Sequence, residues 1–307
     1  MPKLLSAAQI HQYDRDGYIS PIPVLSTEEI HILRAGFEHH AHRLKGKLGQ
    51  QYKHKTHLMR LWADALVHHP HILDAVEDVL GPNILCWTTN LFVKGPGQPH
   101  YVSWHQDSSY WGLEPDEVLT AWVALSPSTR QSGCLKVIPG THVGQNQLHE
   151  DSFDPNNQLT RGQAMVNPDE DAAVSLALEP GEMSIHHVKV AHASGPNQSQ
   201  TPRLGFAMRF MSTNVQKAGK RESALLVRGT DTRGFFEHET RPSVDFSLDS
   251  RLAHNRALRR QIGNNFGPKG NTPLGQRMQL GLQKWLSQAA MDAGYCRLKM
   301  QTWMGRR

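Results

Sequence analysis

The 307-residue chain predicts a mainly β fold with flanking helices, built on a double-stranded β-helix (jelly-roll, cupin-like) core. Three observations lead there. The middle of the chain, residues 84–211, is a series of alternating or apolar runs punctuated by Gly95-Pro96-Gly97, Gly133, Pro139-Gly140 and Pro180-Gly181, the pattern of strands closed by turns. Both ends carry helical spacing and helix-start signals instead. No internal repeat or low-complexity segment divides the chain. One domain is therefore expected, with a helical N-terminal part at about 1–82, a jelly-roll core at about 83–215 and a helical C-terminal extension at about 216–307.

The elements follow in order. Ser6 with Gln9 three residues on forms a capping box that opens a short helix, and Ser26 with Glu29 repeats it. After the second box Ile30, Leu33 and Phe37 recur at helical spacing, which gives one buried face. Residues 17–22 lie between these helices and read as a short strand. Residues 70–80 predict a helix with Pro70 in its first turn, ended by Gly81-Pro82. The polar stretch 145–171 is expected to be a lid or loop insertion rather than barrel wall. Helical patterns return at 251–262 and 276–293.

Composition excludes several function classes. The net charge of +5 is modest, and part of it sits in Lys299, Arg306 and Arg307. There is no dense basic stripe, so no nucleic-acid partner is expected. Apolar runs such as Leu119–Leu125 are far too short to span a bilayer. Residues 1–6 hold no apolar stretch long enough for a signal peptide. Cys86, Cys134 and Cys296 lie far apart and suit a reducing compartment. A cytoplasmic protein, monomer or homodimer, is expected.

Chemistry concentrates in His105-Gln106-Asp107, which follows a strand-like run and sits beside Trp104, Tyr110 and Trp111. Ligands at i and i+2 of a strand project to one face, close enough to share a metal ion. The tripeptide alone is weak evidence, because 19 histidines give roughly one such match by chance. His149-Glu150-Asp151 is such a second copy, set in a polar stretch with no strand pattern to orient it. Three histidines compete for the third ligand. His186 and His187 are adjacent and point to opposite faces when extended, so one could be a core or outer-shell group. His192 is preferred, because Ser194 follows it and a turn at 194–197 with a loop through Pro202 would return Arg203 to the site. Two histidines and one carboxylate that leave open positions are the arrangement of non-haem Fe(II) oxygenases. On the run from Arg203, period-two alternation puts Arg203, Gly205, Ala207 and Arg209 on one face and Leu204, Phe206, Met208 and Phe210 on the other. The first face leaves room for a bound anion, and Arg203 would anchor the far carboxylate of a dicarboxylic keto acid.

The chain resembles the phytanoyl-CoA dioxygenase family of Fe(II)/2-oxoglutarate oxygenases. The resemblance rests on Trp104-His105-Gln106-Asp107, Ala121-Trp122-Val123-Ala124-Leu125, the block from Gly133 to His142, and Gly181-Glu182 with the run from His192 to Asn197 and Arg203. Asp16-Gly17-Tyr18 near the start extends it, so it covers roughly residues 5 to 211; the last 90 or so carry no match. Ala193 stands where the family commonly has glycine. The resemblance implies His105, Asp107 and His192 as iron ligands. It implies Arg203 and Ser194 as the grip on the distal carboxylate of 2-oxoglutarate, with Trp122 lining that pocket. Lys94 resembles a lysine that the family often carries before its metal strand. In the family the block around Ile138-Pro139-Gly140-Thr141-His142 is a structural turn, so His142 is no ligand.

The cofactors so implied are Fe(II), 2-oxoglutarate as cosubstrate and O₂. The implied reaction hydroxylates a C–H bond of a small organic substrate, anionic and amino-acid-derived molecules being among the candidates, and releases succinate and CO₂. Asp107 argues against halogenation, since related halogenases lack the carboxylate. Arg209 would meet an anionic substrate group or form a structural ion pair. Two rivals are a zinc hydrolase, which leaves Arg203 and Ser194 unexplained, and a non-catalytic metal- and 2-oxoglutarate-binding sensor, which would form no succinate.

Overall fold

Helix α1 (Ala7–Asp16) begins where the Gln9 backbone N–H donates to Ser6 Oγ and the Ser6 N–H donates to Gln9 Oε1 at 2.9 Å. It ends at Gly17, whose φ of +78° and contact with Val190 and His142 leave space for glycine alone. The chain then turns into strand β1 (Tyr18–Pro23). The second capping box, Ser26 with Glu29, opens α2 (Thr27–Arg43). Helices α3 (Gln50–Lys53) and α4 (Leu61–Val67) precede α5 (Pro70–Leu80), which starts on its proline and stops at Gly81. These features come from a computed structural model that describes residues 2–43, 50–152, 154–159, 162–265, 289, 293–298 and 300.

The β-rich body starts with β2 (Ile84–Lys94) and β3 (Val102–His105), followed by the short helix α6 (Ser108–Trp111), β4 (Leu113–Glu114), β5 (Val118–Ala124) and β6 (Leu135–Ile138). A small hairpin, β7 (His149–Asp151) with β8 (Gln163–Met165), leads to β9 (Val174–Leu176), β10 (Glu182–His187), β11 (Ala191–Ser194) and β12 (Arg203–Ser212). Then come β13 (Gln216–Lys217), β14 (Ser223–Arg228), β15 (Glu237–His238) and α7 (Leu248–Asn265). A seven-stranded sheet runs β1-β10-β5-β12-β2-β14-β15, and a four-stranded sheet runs β3-β11-β6-β9. All pairings within them are antiparallel except β14 with β15. These are the two sheets of the expected double-stranded β-helix.

The alternation along β12 divides the molecule. Leu204, Phe206, Met208 and Phe210 join Leu119, Ala121 and Val123 of β5 and Met183 and Ile185 of β10 in the main core, under Trp62 of α4 and Ile72, Leu73 and Val76 of α5. Each large side chain buried there contributes about 1.5–3 kcal/mol. Arg203, Ala207 and Arg209 line a cavity on the other face, between the sheets.

The large sheet reaches beyond the expected core. β1 forms one edge, and β14 pairs with β2 past residue 215; its run of four apolar residues has no period that separates strand from helix. The polar stretch 145–171 carries the hairpin β7–β8, and Ser103 of β3 donates its hydroxyl to the Gln163 carbonyl. Helix α7 contains the predicted 251–262 pattern. The pattern at 276–293 falls outside the described residues, save 289 and 293. Among the described residues no helix is long and apolar enough to cross a membrane.

Candidate active site

His105 of β3 and His192 of β11 are direct cross-strand partners, so their side chains leave the sheet side by side. Their ring centroids lie 4.0 Å apart. Asp107 arrives differently from the expectation that both ends of His105-Gln106-Asp107 share one strand. β3 stops at His105, and Asp107 has helical φ and ψ of −59° and −36° at the start of α6. A turn, not the strand pleat, aims the carboxylate. Gln106 locks that turn: its side-chain amide donates to the Thr141 and Lys189 carbonyls at 3.1 and 2.7 Å and accepts from Gln147 N at 2.7 Å. The backbone N–H of Gln106 donates to His149 Nε2 at 3.0 Å. The histidine of the second copy thus supports the first one from behind.

His105, Asp107 and His192 are buried, and one donor atom from each lies within 4.8 Å of the others. His105 Nδ1 is 2.8 Å from the Ser103 carbonyl, and His192 Nδ1 is 2.9 Å from the Val190 carbonyl. A carbonyl only accepts, so each Nδ1 carries a proton, which in the neutral imidazole leaves Nε2 its lone pair for a metal. Those two Nε2 atoms face Asp107, at 3.4 Å from Oδ1 and 3.8 Å from Oδ2 respectively. Tyr110 donates its hydroxyl to Asp107 Oδ1 at 2.7 Å, while the buried Oδ2 accepts no hydrogen bond. Burial opposes the charge on Asp107, yet its surroundings, the Arg209 charge among them, hold its carboxyl well below the usual range. Burial, and then His105 and His186, push His192 down, which keeps it neutral. Two lone pairs and an orphaned carboxylate oxygen around one point fit a divalent cation with positions left open.

The competing histidines fall outside this group. His186 lies on the cavity side, its ring 4.5 Å from that of His192. His187 points away and accepts from Lys189 N at 3.1 Å. His142 holds the Asp14 carbonyl at 3.1 Å, a turn contact.

The anion pocket lies at the start of β12. Arg203 donates to the Gly133 carbonyl and to Ser194 Oγ at 3.1 Å, with its guanidinium 5.3 Å from the Trp122 ring. It is 2% exposed, and no carboxylate among the described residues pairs with it. Burial lowers it to about 10, so it stays charged at neutral pH. A buried guanidinium without a counter-charge fits an anionic ligand. Lys94, directly opposite Arg203 on β2, stands behind Ser194. Its amine reaches Ser194 O at 3.1 Å, Ser194 Oγ at 2.6 Å and the Gly195 carbonyl, and burial followed by the charge of Arg203 pushes it down to about 6. Lys94 therefore orients the serine and does not line the cavity, whose volume is about 200 Å³.

Trp122 fits its place because position 205 has no side chain. A Cβ there would sit 1.9 Å from the Trp122 ring. Gly205→Ala is expected to lose about 1–3 kcal/mol of stability by overpacking and to weaken 2-oxoglutarate binding by driving Trp122 out of line. Denaturant melts and calorimetric titration would read both effects.

The model of the phytanoyl-CoA dioxygenase (PhyH) family matches residues 13–205. The chain belongs to this family of Fe(II)- and 2-oxoglutarate-dependent oxygenases. It is 33% identical over 150 residues to "Phytanoyl-CoA dioxygenase, peroxisomal" of Bos taurus, 47% of this chain and 44% of that protein. It is 28% identical over 162 residues to "Probable alpha-ketoglutarate-dependent hypophosphite dioxygenase" of Stutzerimonas stutzeri, 47% of this chain and 52% of that one. The chain thus spans about half the length of these relatives. Among solved structures it is similar to "non-heme monooxygenase; ThoJ apo", with 35% identity and a TM-score of 0.75 over 83% of this chain and 96% of that one. It is also similar to "CytC3 with Fe(II) and alpha-ketoglutarate", with 25% identity and a TM-score of 0.58 over 78% and 95%.

Gln106, which sequence reasoning passed over, acts through hydrogen bonds made only in the fold, and its one signal was its place in the motif. Tyr110, read from the sequence as a neighbour of the motif, bonds Asp107 directly.

Proposed function

We propose that this protein is an Fe(II)- and 2-oxoglutarate-dependent hydroxylase of a C–H bond in a small organic substrate, releasing succinate and CO₂. The observation that carries this reading is Asp107 Oδ2, buried without a hydrogen bond between two histidine lone pairs. His105, Asp107 and His192 hold the iron in this reading. When bound, Fe(II) with 2-oxoglutarate and O₂ supplies the oxidising power that turns C–H into C–OH. The remaining work belongs to the chain. Tyr110 fixes the carboxylate so that Oδ2 faces the metal, and the two backbone carbonyls fix the imidazole tautomers. Arg203 and Ser194 grip the far carboxylate of the cosubstrate by charge-assisted bonds, Lys94 sets the serine, and Trp122 walls the pocket against water. The chain reads as a single oxygenase domain, since β1 from the N-terminal part and β14 from beyond residue 215 share the large sheet.

Anaerobically purified protein, given Fe(II), 2-oxoglutarate and O₂, is expected to release succinate slowly without added substrate. Arg203→Ala is expected to raise the 2-oxoglutarate concentration needed by roughly 30-fold or more, the effect of deleting one partner of a buried charge pair. Equal succinate release by the variant at low 2-oxoglutarate would remove Arg203 from the site. A protein that binds metal but no 2-oxoglutarate would favour the zinc hydrolase.

A further inference from the structure

Four polar residues form one row across the cavity wall. His186 of β10 pairs with Thr120 of β5, Thr120 pairs with Arg209 of β12, and Arg209 pairs with Thr88 of β2. Cross-strand partners share a face of the sheet, and all four line the cavity. They are 2%, 2%, 9% and 5% exposed in that order. Each has an unsatisfied polar atom: both nitrogens of His186, both threonine hydroxyls, and Nε of Arg209. Four neighbouring buried side chains that each keep an unpaired polar atom is far from ordinary, since buried polar groups are nearly always hydrogen-bonded.

Arg209 is the centre of the row. One terminal nitrogen donates to Asn90 Oδ1, and Asn90 is itself held by its amide contact with His54 Nδ1 at 2.6 Å. Its guanidinium lies 5.8 Å from the Phe92 ring and 5.6 Å from the Trp111 ring. No carboxylate among the described residues forms an ion pair with it. The sequence left an ion pair or a substrate contact open for Arg209; among the described residues no carboxylate lies within ion-pair distance, and Asp107 acts on it only through a longer-range charge interaction. Arg209 lies six residues from Arg203 on β12, roughly 20 Å along an extended strand, so the two arginines serve different groups. With Fe(II), Asp107, the 2-oxoglutarate dianion and Arg203 together neutral, the Arg209 charge is left over, with Lys53 as a second cation on the cavity lining.

We infer that this row is the anion subsite for the substrate, and that the substrate is an organic carboxylate whose apolar body lies against Phe92 and Trp111. The inference rests on the oxygenase reading and names its substrate class. Arg209 and the threonine hydroxyls donate to the carboxylate, and His186 donates from whichever nitrogen carries its proton.

The test uses benzoate as probe and benzamide as its neutral match, titrated into Fe(II)- and 2-oxoglutarate-loaded protein without oxygen and read by calorimetry. Benzoate is expected to bind saturably and benzamide about tenfold more weakly or worse. Arg209→Gln is expected to weaken benzoate about tenfold or more and Thr120→Val a few-fold, with 2-oxoglutarate affinity unchanged in both. Arg209→Lys should retain part of the benzoate affinity, which separates lost charge from lost fold. The inference fails if benzoate does not saturate, or binds Arg209→Gln as well as the original protein. It also fails if Arg209→Gln loses 2-oxoglutarate instead, which would assign Arg209 to the cosubstrate's near carboxylate. Benzoate binding that depends on Arg209 in a protein unable to bind 2-oxoglutarate would support the subsite and sink the oxygenase reading.

Discussion

Replacing Asp107 with alanine is expected to abolish succinate formation and to lower Fe(II) affinity by more than about a hundredfold, since even a ligand's outer partners are worth about 10–100-fold. The size of the effect follows from the geometry. Asp107 supplies the oxygen donor and the negative charge of the group, and its Oδ2 has no other role in the fold. The variant leaves two imidazoles facing each other at 4.0 Å between centroids, with no carboxylate between them to offset a divalent charge. Asp107→Asn is the companion variant, because its amide oxygen can still accept from Tyr110 Oη. It should fold as well as the original protein and still bind metal poorly. Anaerobic calorimetry with Fe(II) measures the loss directly. Unchanged metal affinity in both variants would show that the donors lie elsewhere.

The largest stability effect is expected away from the iron site. Lys55, in a left-handed conformation with φ of +47°, buries its amine against the Trp87 carbonyl at 2.6 Å, the Ser223 carbonyl at 3.0 Å and Glu239 Oε1 at 2.5 Å. The Lys55 and Glu239 side chains are 1% and 4% exposed, and His57 Nε2 lies 3.6 Å from the other carboxylate oxygen. Glu239→Ala leaves this ammonium buried without its counter-charge, at an expected cost of about 3–5 kcal/mol and a fall in melting temperature on the order of 10 °C. Joining it with Lys55→Met should recover most of the loss, because a well-packed apolar pair is often as stable as a buried ion pair. A single variant that melts with the original protein would refute the argument.

The same cluster sets an acid limit. Burial opposes the charge on Glu239, but Lys55 and His57 hold its folded pKa below the ordinary carboxylate value. Its stabilisation is therefore complete above that value and is lost as pH falls toward the folded one. Burial also pushes His57 down, so the unfolded chain gains a proton below the usual histidine range that the folded protein resists. Both groups weaken the fold on acidification. Glu239→Ala should flatten the pH dependence of melting.

Local order was readable where its cause is local. Both capping boxes, the helix at residues 70–80 and the alternation of β12 depend on spacings of two to four residues, and each stands where the spacing predicts. Strand β14 was not readable, because its few apolar residues acquire a strand's meaning only beside β2. The Lys55 cluster escaped for a similar reason: its partners lie 32, 168 and 184 residues away.

The candidate site divides along the same line. The sequence by itself determined which donors are available: His105 and Asp107 by their spacing, and His192 with Ser194 and Arg203 by order along the chain. Tertiary structure decided how they meet. It paired His105 with His192 across two strands, swung Asp107 in through a turn locked by Gln106, and set Lys94 behind Ser194. It alone set Arg209 in the cavity wall with no carboxylate among the described residues within ion-pair distance. A motif can state which residues a chain carries, but the absence of a partner belongs to the space around a side chain, and that space exists only after the strands have paired.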